Sequence, residues 1–279
     1  YSIARHYPGI ADASNPFLAL LEAVAARQAA LIAQWMNVGF IHGVMNTDNM
    51  TISGETIDYG PCAFLEAYDP QTVFSSIDHG GRYAYGNQPH IARWNLARLA
   101  EALLPLMAAS DDEGAIQRAV AQVTEVIDAF PGLYAEALLR GQRAKLGLFA
   151  ATAADDEADT ALVTDWLALL HAQSVDFTLA WRRLADAAEG REAPLRDLFV
   201  DRAAVDAWLA RWRERCARDD AAGAPGIRER VARMRRANPW IIPRNHRVEE
   251  ALAAATDDDF APFVHLLAAL RRPYEEATE

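Results

Sequence analysis

The sequence contains very little lysine and cysteine. Lys145 is its only lysine, although lysine and arginine together number 27 of the 279 residues. A reaction that needs a lysine on a nucleotide phosphate therefore has a single candidate within this chain. The two cysteines, Cys62 and Cys216, are too few and too far apart for a disulfide framework or a zinc cluster. We therefore expect a reducing compartment, the cytoplasm.

Several common signatures are also missing. The chain has no G-x-G-x-x-G, G-x-x-x-x-G-K-[ST], H-E-x-x-H, C-x-x-C or G-x-S-x-G. Dinucleotide folds, P-loop enzymes, zincins and α/β-hydrolases thereby lose their main support. The sequence begins at Tyr1 without an initiator Met and without an apolar or arginine-rich leader, so we expect a piece of a longer polypeptide.

Positive charge and long apolar runs are scarce. Acidic side chains outnumber basic ones by 39 to 27, which gives a formal charge of -12. Proteins that bind nucleic acid need a positive surface, so we expect no nucleic-acid partner. The richest apolar segment, residues 17–40, is interrupted by Glu22 and Arg27, so we expect no membrane span. The 52% hydrophobic content is still sufficient for a core.

Most of the sequence is typical of helices, because Ala, Leu, Arg and Glu dominate and apolar residues recur three and four positions apart. Asn15 and Pro16 predict the start of a core helix that stops near Gly39. A second helix is predicted to open with a capping box at Ser110 and to end at Pro131. Further helical stripes follow to the C-terminus, so the predicted fold class is mainly α (α+β).

The segment from Met50 to Tyr59 is the exception. Two short β-branched arms flank Ser53-Gly54-Glu55, which predicts a hairpin. Pairing of the arms would bring Asn49 and Asp58 to the same end of the hairpin. The following residues, 60–89, are irregular and polar. A loop of this length in a compact domain usually has a function, or else contains secondary structure that the sequence pattern does not reveal.

The polar run from His42 to Met50 and the hairpin carry the candidate site. Oxygen ligands from Asn49 and Asp58 suit a Mg²⁺ that carries nucleotide phosphates, since Mg²⁺ takes few protein ligands. Asp48, beside a ligand, is placed to accept the proton of an incoming hydroxyl. In protein kinases, an Asn of the catalytic loop and the Asp of the Asp-Phe-Gly motif bind the metal ions in the same way. The kinase base lies five positions before that Asn, where this chain has Val44, which suggests chemistry other than γ-phosphoryl transfer.

Simpler interpretations of these residues stay open. Asp48-Asn49 is also typical of an Asx turn, and Asp58 of a strand end. His42 either orders the loop by hydrogen bonding or is an ordinary core histidine. Cys62 is expected to be a small buried residue rather than a nucleophile. Asp78, His79 and Arg82 belong to one loop. This loop either faces a substrate or is held in place by interactions among its own side chains.

A series of motifs in fixed order resembles one known family. They are Gln34-Trp35, Gly39-Phe40, His42 to Met50, Asp58-Tyr59-Gly60-Pro61, Gly81-Arg82-Tyr83, Asn87-Gln88-Pro89, Trp94-Asn95-Leu96, Lys145-Leu146-Gly147-Leu148, Asp176-Phe177-Thr178, Arg183-Leu184, Asn238-Pro239 and Arg244-Asn245. In these strings, which span nearly the whole chain, the sequence resembles the selenoprotein O family.

The resemblance implies a protein-kinase-like C-lobe core over residues 1–150, with the catalytic loop and the Asp-Tyr-Gly motif. A family-specific helical extension over residues 151–279 would follow, packed with the core as one unit. The family's N-lobe, with its glycine-rich loop and phosphate-contacting lysine, would precede Tyr1. Lys145 falls in a later family segment and is not that lysine. We therefore expect the isolated chain to be inactive.

The activity implied by the resemblance is that of a protein adenylyltransferase, which uses Mg-ATP, bound in a flipped orientation, to transfer AMP to Ser, Thr or Tyr hydroxyls of proteins. By position, Asp48 is the proton acceptor, while Asn49 and Asp58 bind Mg²⁺ or Mn²⁺. Asp58 also faces the nucleotide, and His42 and Asn46 support the loop. The expected partners are ATP and proteins with hydroxyl side chains. Two alternatives are a kinase-like phosphotransferase and a non-catalytic, nucleotide-binding pseudokinase.

Overall fold

The computed structural model describes residues 1–108, 110, 112–149 and 152–276, and it confirms a mainly helical protein. Strands β1 (Phe40–Ile41) and β2 (Ala63–Phe64) pair in a two-stranded sheet. The helices are α1 (Ser2–His6), α2 (Pro16–Val38), α3 (Gln88–Met107), α4 (Glu113–Leu146), α5 (Asp156–Ala172), α6 (Phe177–Ala188), α7 (Ala193–Arg196), α8 (Arg202–Ala221), α9 (Ile227–Ala237), α10 (Asn245–Thr256) and α11 (Ala261–Leu270).

The chain divides into two compact units, each built from separate stretches of sequence. The first unit consists of Tyr1–Met36, Ile41–Cys62 and Gln71–Leu138. The second unit consists of Asn37–Phe40, Ala63–Pro70 and Leu139–Glu279. The assignment of a kinase-like core to residues 1–150 and of an extension to 151–279 stays a prediction.

Helix α2 begins where the sequence predicts. The Asn15 Oδ1 atom accepts a hydrogen bond from the Leu18 amide at 3.1 Å, and Pro16 occupies the first helical position. By length and composition alone, α2 could cross a membrane. The expectation that Glu22 and Arg27 exclude a membrane span is therefore wrong on this criterion. Of its most apolar window, 44% is buried inside the protein.

Helix α4 departs from the sequence prediction at both ends. Asp112, not Ser110, accepts a hydrogen bond from the Ala115 amide, at 3.1 Å. The helix also continues through Pro131 to Leu146. A proline in a helix removes one backbone hydrogen bond and costs about 3 kcal/mol. Phe130, directly before Pro131, and Leu146, the last residue of the helix, are buried, and their burial offsets part of the loss.

The predicted hairpin is reduced to a turn with one antiparallel bridge, between Met50 and Thr56. The Thr51 hydroxyl accepts a hydrogen bond from the Glu55 amide at 2.9 Å and donates one to the Glu55 carbonyl at 2.7 Å. Such local side-chain bonds compete with a strand ladder, which explains why the arms do not extend as strands. Gly54 completes the turn with a φ of 77°.

The core of the second unit is built around tryptophan. The Trp166 ring lies 4.4 Å from the Trp208 ring and 5.9 Å from the Trp181 ring, measured between centroids. The indole nitrogens of Trp208 and Trp212 donate hydrogen bonds to backbone carbonyls at 2.9 and 3.1 Å. All four side chains are buried, so these helix positions belong to the core.

Candidate functional site

The candidate site is a loop of the first unit that follows β1 and runs from His42 to Asn49. Gly43 begins the loop with a φ of 83°, in the left-handed region. A Cβ atom at this position would lie 1.9 Å from the Pro61 carbonyl oxygen and 2.5 Å from the Phe74 carbonyl oxygen. Only glycine fits here, because two other backbone segments press against the loop.

Two buried amide side chains of α3 hold the loop in place. Gln88 accepts a hydrogen bond from the His42 amide at 3.0 Å. Asn95 donates one to the Met45 carbonyl, also at 3.0 Å. The sequence analysis assigned neither residue a role. Their signal in the sequence is the spacing of seven, which places two polar side chains on the same, otherwise apolar face of a helix.

His42 links the loop to the turn that follows it. Its side chain is 1% exposed, and its Nε2 atom lies 2.8 Å from the Ile57 carbonyl oxygen. The Val44 amide approaches Nδ1 at 3.4 Å, which favours the tautomer with hydrogen on Nε2. The imidazole therefore fixes the backbone directly before Asp58.

Asp48 and Asn49 lie together on a single 3₁₀ turn, Thr47–Asn49. The Asn49 Nδ2 atom donates to the Val44 carbonyl at 3.0 Å, so the Oδ1 atom remains as the acceptor of that amide. Asp48 is exposed. Among the residues that the structure describes, no hydrogen bond or ion pair holds its carboxylate. An unpartnered carboxylate beside an oriented amide can accept a proton or a cation.

Asp58 has a strained backbone at the end of the turn. Its φ of 55° lies in the left-handed region, which is uncommon for residues other than glycine. Its side chain is exposed, and within the described ranges its carboxylate has no ion-pair or hydrogen-bond partner. The Met50–Thr56 bridge brings residue 49 and residues 57–58 to the same end of the turn.

The donor set fits magnesium. An amide oxygen from Asn49 and a carboxylate from Asp58 are the hard oxygen ligands that Mg²⁺ prefers. In the described part of the chain, no group of three or more His, Cys, Asp or Glu side chains could hold a metal ion. A pair of protein oxygens suits a Mg²⁺ that also takes waters and phosphate oxygens from a nucleotide.

A second loop contacts the site loop through Asn46. The Tyr83 hydroxyl donates a hydrogen bond to Asn46 Oδ1 at 2.7 Å. Asp78 braces the loop that carries Tyr83, because its carboxylate accepts from the Arg82 and Tyr83 amides, both at 2.8 Å. The bracing interpretation therefore applies to Asp78. Among the described residues, no hydrogen bond or ion pair joins His79 to the site. The Arg82 guanidinium lies over the Tyr83 and Trp94 rings.

Cys62 follows the Asp-Tyr-Gly-Pro motif and is half-buried. Its Sγ atom contacts the Tyr59 carbonyl oxygen at 3.6 Å. Burial raises the pKa of the Cys62 thiol above its ordinary value. A raised pKa lowers the thiolate fraction, which supports the expectation that Cys62 is not a nucleophile.

Comparison with known proteins shows which proteins this chain is similar to. The chain is similar to proteins named protein nucleotidyltransferase YdiU. It is 56% identical to that of Cereibacter sphaeroides over 279 residues, which is 100% of this chain and 54% of the relative. It is 56% identical to that of Mycolicibacterium paratuberculosis (99% and 53%) and 54% identical to that of Chromobacterium violaceum (99% and 55%).

A family model described as protein adenylyltransferase SelO matches residues 1–271. The chain belongs to the SelO family, as the motif series predicts. It spans about half the length of the curated relatives it matches.

Proposed function

We propose that the full gene product containing this chain is a protein adenylyltransferase, which transfers AMP from Mg-ATP to Ser, Thr or Tyr hydroxyls of other proteins. Asp48 accepts the hydroxyl proton, and Asn49 and Asp58 hold the metal, with Asp58 facing the nucleotide. Within this proposal the loop belongs to a kinase-like C-lobe, in which Asp58-Tyr59-Gly60 takes the place of Asp-Phe-Gly.

The observation that carries the proposal is the environment of Asp48. Its exposed carboxylate is directly followed by Asn49, whose amide is oriented by the Val44 carbonyl at 3.0 Å. A general base has to reach the substrate proton, and a carboxylate already paired with an arginine would be less available for this. The loop around it is rigid, since Gln88 and Asn95 anchor it at two points. Positioning of this kind is a large part of catalysis in phosphoryl-group transfer.

The acceptor hydroxyl oxygen forms a bond to the α-phosphorus of ATP, and the bond from that phosphorus to the bridging oxygen of the β-phosphate breaks. Pyrophosphate leaves, and the hydroxyl proton passes to the Asp48 carboxylate. When bound, Mg²⁺ supplies positive charge that offsets the negative charge of the phosphates.

A kinase is the runner-up, and the identity of residue 44 argues against it. Kinases place the base five positions before the metal-binding Asn, and this chain has Val44 there. A valine side chain cannot accept a proton. The Asp48 carboxylate instead lies next to Asn49 in the sequence. In this proposal the proton acceptor is therefore closer to the metal-binding Asn than it is in a kinase. We infer that the reaction differs from γ-phosphoryl transfer.

The test follows the radioactive label from ATP into protein. The full gene product is used, because no glycine-rich nucleotide loop was found in these 279 residues. Label from [α-³²P]ATP but not from [γ-³²P]ATP is expected in the acceptor protein, with release of pyrophosphate. Label from the γ position alone would establish the kinase. No label from either, with nucleotide binding retained, would support the pseudokinase.

The site assignment makes a prediction of its own. Asp48→Asn should lower kcat by about 10²–10⁴-fold, because the amide cannot accept the proton. Asp58→Asn should raise the Mg²⁺ concentration needed for half-maximal rate, because a neutral ligand binds the cation less well. Glu55→Gln, in the same turn, is the matched control and should keep the wild-type rate. Unchanged activity in both aspartate variants would refute the assignment.

A further inference from the structure

A cluster of cationic and aromatic side chains on the first unit is not used by the proposed reaction. We call it the Arg82 patch, and it consists of Arg82, Tyr83, Trp94 and Arg98. The Arg82 guanidinium lies 4.9 Å from the centre of the Trp94 ring and 5.6 Å from the Tyr83 ring. The Arg98 guanidinium lies 5.2 Å from the same Trp94 ring. Trp94 is 42% exposed, so this stacked arrangement is at the surface.

The backbone, not an ion pair, sets the position of Arg82. Asp78 accepts hydrogen bonds from the backbone amides of Arg82 and Tyr83, and Asn87 donates to the Gly81 carbonyl at 2.7 Å. Within the described residues, the Arg82 guanidinium has no carboxylate partner. Arg98 differs, because it forms an ion pair with Glu101 at 2.7 Å. Arg82 therefore presents a planar, stacked guanidinium whose charge is not matched by the protein.

The Arg82 patch contacts the site loop directly. The Tyr83 hydroxyl donates to Asn46 at 2.7 Å. Asn46 in turn precedes the 3₁₀ turn Thr47–Asn49, and its carbonyl accepts from the Asn49 amide at 3.0 Å. A protein segment that delivers a hydroxyl to Asp48 would therefore pass close to Arg82.

Charge indicates what such a segment should contain. Within the described residues, Arg82 is an exposed arginine without a carboxylate partner, in a chain whose formal charge is -12. A guanidinium fork recognises carboxylates bidentately, and stacking on aromatic rings holds it in one orientation. Exposed Ile77 on the same loop adds apolar surface. These features fit an acidic side chain with a neighbouring apolar one.

We propose that the Arg82 patch binds a Glu or Asp close to the acceptor hydroxyl in the protein substrate. Arg82 is thus a specificity-determining residue for acceptor proteins. The inference rests on the proposed function, since it names the acceptor chemistry of that same site.

The experiment uses the full gene product and two fluorescein-labelled peptides, which differ only in having Glu or Gln on both sides of one Tyr. Fluorescence anisotropy measures binding of each peptide, and label from [α-³²P]ATP measures transfer. The wild type should prefer the Glu peptide by about fivefold to tenfold, as expected for one charge-assisted contact. Arg82→Gln should reduce this preference to about one, while Arg82→Lys, which keeps the charge without the fork, should be intermediate.

Arg93→Gln is the matched control, because Arg93 lies on the same helix as Trp94 but pairs with Asp128 at 2.6 Å, and it should keep the wild-type preference. A wild type without preference, or an Arg82→Gln protein that retains it, would overturn the inference. So would a raised KM for ATP with unchanged peptide preference, since Arg82 would then serve the nucleotide. If no nucleotide is transferred at all, the proposed function fails, while the anisotropy ratio still decides the role of the patch.

Discussion

Asp48 and Asp58 of the first unit and Asp159 of the second unit have opposite environments. In the first unit, Asp48 and Asp58 are exposed and, among the described residues, have no partner. In the second unit, the Asp159 side chain is 0% exposed and accepts hydrogen bonds from Arg215 at 2.6 Å and from Arg143 at 2.7 Å. A buried carboxylate without partners would be costly, whereas an exposed one is free to react. The surroundings of Asp48 and Asp58 therefore leave their carboxylates accessible, whereas those of Asp159 make it part of the fold.

The largest effect that tests this comparison is expected at Asp159. Asp159→Asn should lower the free energy of unfolding by about 3–5 kcal/mol, because the arginines would keep their buried charge without its counterpart. Asp165→Asn is the matched control in the same helix, since Asp165 pairs with Arg211 where both side chains are half-exposed. It should cost about 1 kcal/mol or less. Urea denaturation followed by tryptophan fluorescence measures both, and equal losses would contradict the distinction.

Two glycines with the same left-handed backbone, one in each unit, have different surroundings. Gly43 in the first unit and Gly190 in the second both have a φ of 83°. A Cβ at Gly190 would meet nothing within 4 Å, whereas one at Gly43 would overlap two backbone carbonyls. The same substitution therefore separates the cost of the dihedral from the cost of the clash.

Gly190→Ala should destabilise the protein by about 1–2 kcal/mol, the cost of a left-handed L-residue. Gly43→Ala should cost about 1–3 kcal/mol more, because backbone segments have to move apart. It should also reduce nucleotide transfer by the full gene product, since the displaced loop carries Asp48. Thermal denaturation and the transfer assay measure the two effects. A Gly43→Ala protein as stable as Gly190→Ala would show that the loop is looser than its contacts indicate.

The start of α2 and the core faces of the helices could be predicted from the sequence because they depend on local signals. Asn15 caps α2 as predicted, and the stripe tryptophans of the second unit are buried. The end of α4 could not be predicted, since the penalty at Pro131 is local while the burial that offsets it is not. The hairpin was predicted with longer strands than it has. Here the deciding interactions are local, because Thr51 makes hydrogen bonds within the turn that a pattern of β-branched residues does not reveal.

The candidate site shows the same limit. Asp48, Asn49 and Asp58 could be selected from their order in the sequence and from the family resemblance, and their roles stay predictions. Gln88 and Asn95 were not selected, because their partners are backbone atoms 46 and 50 positions away. Sequence patterns show which side chains could do chemistry more readily than which ones hold the reactive loop in place.

The pH-dependent effect concerns the only lysine. Lys145 belongs to the second unit and is buried, with its Nζ atom 4.6 Å from the centre of the Trp181 ring and 5.5 Å from that of Phe177. Burial lowers the pKa of Lys145 well below its ordinary value. In contrast to the exposed carboxylates of the first unit, this charge is suppressed by its surroundings. The only lysine thus contributes to packing rather than to phosphate binding.

The lowered pKa gives stability a pH dependence with a definite sign. Between the lowered value and the unfolded value of about 10.4, the unfolded chain binds a proton that the folded protein does not. Stability should therefore fall as the pH drops through this window and reach its full value above it. The slope attributable to Lys145 is about 1.4 kcal/mol per pH unit within the window.

Lys145→Met removes this titration and retains an unbranched apolar side chain of similar size. The variant should be more stable than the wild type at pH 8, and the difference should shrink as the pH approaches 10.4, because the wild type then has no proton to lose on folding. Urea denaturation of both proteins at several pH values measures the difference directly, so that other titrating groups cancel. A difference that does not change with pH would mean that Lys145 stays charged in the folded protein, held as a cation by the Trp181 ring.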